Sequence, residues 1–240
     1  MSRVDEQQGG MMPGFMMPDL VTAAHELKSP LALIRQLALS LEAGELDAAD
    51  IARLAHRMEL TSDRALRLVE DLTRSARLDD GLFALEPVNP VALCDEVVHE
   101  ISPLYHAHER SIQAVSRRHS PLVVADRSLL RRVLLGFADN ALHYGDESET
   151  VQLQTSQHGD TVRISVRDFG PGLTTQLWRS IRHGTITPQA ISRRPASSGL
   201  GLAISSQFAH AMNGQVGVVR HRDGTSFYIE LAGSTQTSWL

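Results

Sequence analysis

Cysteine is almost absent. Cys94 is the one thiol in 240 residues, so no internal disulfide can form and a reducing compartment suits the chain. Flanked by Leu93 and Val97, it reads as a small buried side chain. No apolar run reaches the roughly 18 residues needed to cross a bilayer. The methionine-rich start, MMPGFMMPDL, lacks the basic stretch and long apolar core of an export signal. These absences predict a cytoplasmic protein with no membrane segment in this chain. Charge of one sign is missing too: 23 basic and 28 acidic residues are interspersed, for a net charge of -5. That balance offers neither a stripe for nucleic acid nor a polybasic patch for anionic lipid. Aromatic residues are sparse at 5%, but 42% of the chain is apolar, enough for one large core or two smaller ones.

Three regimes follow one another. Residues 1–17, with Gly9, Gly10, Pro13, Gly14 and methionines in no period, are expected to form a flexible tail. From Leu20 apolar residues recur every seven, as Leu20, Leu27, Ile34 and Leu41, with Ala24, Leu31 and Ala38 offset by four. Gly44 interrupts the pattern, Asp47 or Asp50 is a candidate cap, and Ile51, Met58, Ala65 and Leu72 resume it beside Ala55, Val69 and Ala76. The spacing predicts a helical hairpin over 18–80. One hairpin buries too little surface to stand alone, so its seam is expected to meet a second copy in a dimeric four-helix bundle.

From Gly81 strands alternate with helices. LFALEPV, SIQAV, LVVA, VQLQTS, VRISVRD, QVGVVR and SFYIEL read as strands, while Asn89 with Pro90, and Asp126, are placed to start two of the helices. GLAISSQFAHAM supplies a third helix. A two-layer α/β sandwich is therefore expected over 81–232, with a short tail at 233–240, and the whole chain falls in the α+β class.

The candidate chemistry begins at HELKSPL, residues 25–31. His25 follows a seam position and is expected at the edge of the helical pair, open to solvent. A neutral imidazole is a competent nucleophile, and Glu26 is placed to accept its proton or fix its tautomer. Ser29 lies one turn on, on the same face. Pro30 has no amide hydrogen and is expected to bend the helix there. The heptapeptide alone fits a nucleophile and a plain surface histidine equally, but not a zinc protease, since Ser29 stands where H-E-x-x-H needs its second histidine.

The later segment carries parts of a nucleotide site. Asn140 follows Gly136 by one helical turn and precedes Tyr144 by another, and its amide oxygen suits a hard cation brought by phosphates. Asp168 ends a strand and is followed by Gly170 and Gly172, which let backbone close around a planar ring; a plain turn between elements is the alternative. Gly199 and Gly201 open a helix where phosphates can approach amides at its positive end. Between them, Arg179, Arg182, His183, Arg193 and Arg194 with no acid over 173–198 read as a cationic lid. A protein-kinase reading of DFG at 168–170 lacks its G-x-G-x-x-G loop after the first strand, and a P-loop lacks its G-K-[ST].

Together these stretches resemble the bacterial two-component sensor histidine kinases, over about residues 18–232 and in the family's own order. HELKSPL resembles the phosphoacceptor box, GFADNALHYG the N box, DFGPGL and SSGLGLAIS the two glycine boxes, and NGQVGV through DGTSFYIEL the closing strands. The resemblance implies an ATP-binding sandwich of the GHKL, or Bergerat, type behind a dimeric hairpin. It implies autophosphorylation of His25 assisted by Glu26, transfer to an aspartate on a response-regulator receiver domain, and a dephosphorylating role for Ser29. It also implies ATP and Mg²⁺ as cofactors, with the metal on Asn140. Nucleotide contacts are implied for His143 and Tyr144 beside Asn140, and for Asp168, Gly170 and Gly172. Further contacts are implied for Arg193 and Arg194 of the lid, for Gly199, Leu200, Gly201 and Leu202, and for Thr225 of the closing strands.

Departures from the family pattern are plain. Gly136 stands where a first asparagine is usual, His143 where lysine or arginine is common, and Ser197 where a glycine leads; Trp178 is the one lid aromatic. These keep open a phosphatase-biased or degraded kinase, and a non-enzymatic dimer that docks a regulator. With no sensor, receiver or membrane stretch in the sequence, the signal is expected from a separate protein or through the short N-terminal tail.

Overall fold

Two long helices come first in the computed structural model, which describes residues 9–11, 20–44, 46–76, 78, 83–115, 120–145, 149–170 and 200–234. Helix α1 is Leu20–Ala43 and runs on through Pro30; α2 is Ala48–Ala76. Asp47 starts α2, its carboxylate accepting the Asp50 amide at 2.7 Å and its carbonyl the Ile51 amide at 3.0 Å. The helices pair as a hairpin, but the heptad seam is only partly covered. Ala65 is buried and Leu27, Ile34, Leu41, Met58 and Leu72 are half-buried, whereas Ala24, Leu31, Ile51, Ala55, Val69 and Ala76 are exposed. Two helices can shield only one side of each other, and the deepest contacts of α1 are made by Ala23 and Leu37, off the expected line.

The sandwich is built on capped helices. Helix α3, Pro90–Ala107, starts at Asn89, whose side chain accepts the amides of Val91 and Ala92. Helix α4, Arg127–Tyr144, starts at Asp126, which accepts the amides of Ser128 and Leu129 at 2.9 Å each. Burial pushes the Asp126 carboxyl up, but hydrogen bonds from the Ser128 hydroxyl and the amides of Leu129, Ala84 and Ser128 outweigh it and hold the group below the ordinary carboxylate value. Helix α5 is Leu200–Ala211.

The strands are β1 (Gly9–Met11), β2 (Glu86–Val88), β3 (Ile112–Ala114), β4 (Val123–Ala125), β5 (Val151–His158), β6 (Thr161–Asp168), β7 (Gln215–His221) and β8 (Gly224–Ala232). Six of them form one sheet in the order β1-β7-β8-β6-β5-β3, parallel only between β3 and β5, and β2 pairs with β4 apart. Alternation along β6 turns Val162, Ile164, Val166 and Asp168 to the buried side, opposite Leu231, Ile229, Phe227 and Thr225 of β8. Helices α3, α4 and α5 cover that face, with Tyr105, Phe137 and Phe208 among the largest fully buried side chains. Phe137 of α4 stacks on Phe227 of β8 at 5.9 Å.

Two ends differ from the expected tails. Gly9–Met11 adds an edge strand antiparallel to β7, and Gly233 and Ser234 donate their amides to Asp160 and Leu122. Both attachments use backbone groups alone, so no side-chain period announces them. The rest of the two stretches, 1–8, 12–19 and 235–240, lies outside the described residues.

The hairpin is tied to the sandwich along α2. Asp71 accepts Arg132 Nε and, at 2.7 Å, its Nη2, while that Nη2 also donates to the Arg67 carbonyl. Arg74 donates to Ser128 Oγ at 3.1 Å and Ser75 to Gln207. Burial raises the Asp71 carboxyl pKa against the pull of Arg132; burial also works against the Arg132 charge, but its bonds to Asp71 raise the guanidinium pKa overall. A double-mutant cycle with Asp71→Ala and Arg132→Ala, read by urea unfolding, is expected to give a coupling of about 2 kcal/mol. A coupling near zero contradicts this account of the contact.

Candidate functional site

Asp168 is a buried acid held by backbone donors. It ends β6 on the helix-covered face and is 5% exposed. Its Oδ1 accepts the Gly170 amide at 3.1 Å and the Thr225 amide at 3.3 Å. Two donors on one oxygen fix the plane of the carboxylate, an orientation that a recognition group needs and that a solvated acid lacks. Gly170 is buried two residues on, and Thr225 faces Asp168 in the β6–β8 register. Gly224 makes this approach possible. Its φ is +148°, and a Cβ there would stand 2.0 Å from the Asp168 carbonyl oxygen.

Around this acid the turn is latched. Arg167 donates to Asp223 at 2.8 Å and lies over the Phe169 ring at 4.6 Å. Helix α4 brings its C-terminal half to the same region, with Asn140 half-buried in the penultimate turn. Behind it the Tyr105 hydroxyl donates to the Ala138 carbonyl at 2.7 Å, and burial drives its pKa far upward, so it remains a donor across the working pH range. His143 and Tyr144 belong to the last turn of α4. Helix α5 opens with Leu200 buried, Gly201 exposed and Leu202 buried. It crosses α4 at Gly136, where an added Cβ would meet Ser205 Oγ at 3.5 Å.

The phosphoacceptor candidates lie elsewhere. His25 and Ser29 are exposed and Glu26 is half-buried on α1. Ala23, two residues before His25, belongs to the buried cluster that includes α5, so the start of α1 is packed on the sandwich. Among the described residues no hydrogen bond or ion pair joins His25 to Asp168. Thus the structure brings together Asp168, Gly170 and Thr225 and sets α4 against α5, but it leaves His25 apart. Gly172, Arg193, Arg194 and Gly199 lie outside the described residues, as do Ser197, Trp178, Arg179, Arg182 and His183. A cleft of about 520 Å³ lined by Val69, Thr73, Phe83 and Ser128 sits at the far end of α4 from Asn140 and belongs to the hairpin contact, not to this site.

A magnesium ion carried by phosphates needs only one or two protein oxygens. Asn140, next to Asp139 on α4, would offer one, and among the described residues no group of three acids, histidines or cysteines makes a free-standing metal site. The donor set therefore fits a metal that arrives with its nucleotide. Gly224 escaped the sequence reading, although Asp-Gly between two alternating stretches is a hairpin signal that was there to use.

A sheet covered on one face by three helices, with a clamped acid at the strand end, defines a GHKL-type ATPase domain. Residues 125–234 match the family described as histidine kinase-, DNA gyrase B-, and HSP90-like ATPase. Sensor protein SphS of Synechococcus elongatus is 32% identical over 208 residues, 82% of this chain and 50% of that one. The structure of full-length ShkA in complex with AMPPNP superimposes with a TM-score of 0.57 at 29% identity, covering 93% of this chain and 47% of that one. The structure of ThkA in complex with response regulator protein TrrA gives 0.62 at 18% identity, covering 89% and 60%, a likeness of fold alone. Residues 125–234 are thus a GHKL-type ATPase domain, and the chain around them is similar to sensor histidine kinases of two-component systems. It spans 24% to 54% of the length of the curated relatives it matches.

Two glycines give opposite expectations in urea unfolding. Gly224→Ala drives a Cβ into the Asp168 backbone and is expected to cost more than about 1 kcal/mol. Gly136→Ala meets only ordinary contact inside a helix and is expected to stabilise by about 0.5–1 kcal/mol. Equal effects of the two contradict the packing described.

Proposed function

We propose that this chain is a kinase core that phosphorylates itself on His25 with ATP and passes the phosphoryl group to an aspartate of a response-regulator receiver domain. The observation that carries the proposal is the pairing, in one chain, of an exposed histidine beside an acid with an ATPase domain whose Asp168 is buried and clamped. The adenine amino group donates to Asp168. Phosphates lie between Asn140 and the start of α5, where the helix dipole favours their charge, with the lid arginines Arg193 and Arg194 as counter-ions. Mg²⁺ bound with the phosphates at Asn140 supplies charge neutralisation. His25 attacks the γ-phosphorus through a neutral ring nitrogen, the bond to the β,γ-bridging oxygen breaks, ADP leaves, and Glu26 takes the proton from the other ring nitrogen.

The hairpin is proposed to dimerise. Leu31 (59% exposed), Leu39 (50%), Ile51 (47%) and Leu66 (59%) are large apolar side chains in water on the hairpin, and a second hairpin would cover them in a four-helix bundle. A cytoplasmic location and a separate sensor protein upstream belong to the same proposal; none of the described helices is long and apolar enough to cross a membrane. A second reading, a phosphatase-biased enzyme, draws on Gly136, which leaves α4 one amide poorer, and on Ser29, exposed one turn from His25. A non-enzymatic regulator-docking dimer is the third.

Incubation with γ-labelled ATP decides among them. The kinase reading expects an acid-labile label on the wild-type chain that His25→Gln abolishes. A label that survives His25→Gln contradicts it. No label with retained dephosphorylation of a phosphorylated regulator selects the second reading, and nucleotide indifference selects the third.

A further inference from the structure

Arg110 is buried at 7% exposure, which is unusual for a guanidinium with no bonded carboxylate among the described residues. Its Nη1 donates to the carbonyls of Leu142 and, at 3.4 Å, Ala141. Its Nε and Nη2 are buried and have no hydrogen-bond partner among the described residues. The backbone spends strain to put it there: Glu109 takes a φ of +55°, and the Arg110 amide closes α3 on the Tyr105 carbonyl at 2.9 Å. The position is specific. At Gly145, the residue that ends α4, an added Cβ would stand 3.2 Å from Arg110 Nη2 and 3.3 Å from Asp168 Cβ. The bare Gly145 backbone therefore packs against both the guanidinium and the base of the clamped acid.

We infer that Arg110 is a positioning residue for the nucleotide site, holding the metal-bearing turn of α4 and the adenine-reading Asp168 in register through one buried cation. The inference rests on the ATP-binding reading proposed above. Carbonyls 141 and 142 open the C-terminal turn that follows Asn140; the first accepts the Gly145 amide that ends α4 as well as Arg110, and the second accepts Arg110. The guanidinium closes them and adds a positive charge at the negative end of the helix. The same charge acts on the neighbourhood of Asp168: Tyr105, bonded to α4 at Ala138, feels Arg110, Asp139 and Asp168 together. A neutral apolar side chain at 110 would take from the buried Leu142 carbonyl its described side-chain donor and remove a buried cation from the turn that packs on Asp168. Arg110 touches neither base nor phosphate. Its effect reaches the nucleotide through Asn140 and Asp168.

The test is made on the full chain with Arg110→Met, Arg110→Gln and Arg110→Lys, following autophosphorylation rate against ATP concentration together with thermal unfolding. For the Met and Gln variants the half-saturating ATP concentration is expected to rise about tenfold while the maximal rate stays within about twofold, the pattern of a displaced binding group. Arg110→Lys restores the charge and one donor and is expected to recover most of the affinity. Gln keeps an amide donor, so it decides the matter should the Met variant fail to fold. A lowered unfolding temperature with unchanged half-saturation in any folded neutral variant makes Arg110 a structural cap only and overturns the inference. A Lys variant as weak as Gln overturns it as well. A wild-type chain that binds no ATP overturns the functional reading itself, and is distinguished from the other failures by that control.

Discussion

A carboxylate placed inside a protein has to be given donors, and everything about this sandwich is arranged around that requirement at Asp168. The amides of Gly170 and Thr225 converge on one of its oxygens. For both to reach it, β8 must run directly beside β6, the β7–β8 turn must contain a glycine at its tightest point, and the end of β6 must face the helices. The stacked pair Phe137 and Phe227 then fixes α4 over the same strands, so the helix that carries Asn140 and the strand that carries Asp168 share one core. Burial supplies the low dielectric in which a single acceptor can discriminate among ligands, and the clamp removes the freedom that would blur it.

The chain has to reconcile this rigidity with movement. Among the described residues no bond joins the exposed His25, on a helix packed against the sandwich, to Asp168, so the proposed transfer requires the two parts to change their mutual pose. The contact they make in the structure is polar and modest: the Asp71–Arg132 pair, two hydroxyl bonds and a handful of half-buried apolar side chains such as Leu68 and Leu72. Interfaces of this composition come apart and re-form more readily than an apolar core does. The apolar groups exposed along the hairpin point the other way, toward a stable partner for the stalk.

Much of this was legible in the residues. Asn89 with Pro90 and Asp126 announced two helix starts because a cap is a local device, three residues long. Alternation announced β5 and β6 for the same reason. The glycine and asparagine boxes marked a candidate site because nucleotide phosphates demand bare backbone and small polar groups; of these boxes Asn140, Asp168, Gly170 and Gly201 are among the described residues. What stayed hidden is non-local or without side-chain signal. The edge strand at Gly9–Met11 and the anchoring of Ser234 use only amides and carbonyls. The Asp71–Arg132 pair joins residues 61 apart, and neither looks special in its own helix. Gly224 sat in a plain Asp-Gly turn, and its importance comes from what lies across the sheet. The seam of the hairpin was read from its period, yet period alone does not say which part of an apolar stripe one chain covers by itself.

The central claim is that the clamped carboxylate reads the nucleotide. Calorimetric titration of ATP into the full chain and into Asp168→Asn, an exchange that keeps the shape and removes the charge, tests it most directly. The account predicts measurable binding by the wild type and affinity at least about tenfold lower in the variant, a difference of some 1.4 kcal/mol, with the fold intact by circular dichroism. Equal affinity in the two proteins would contradict it.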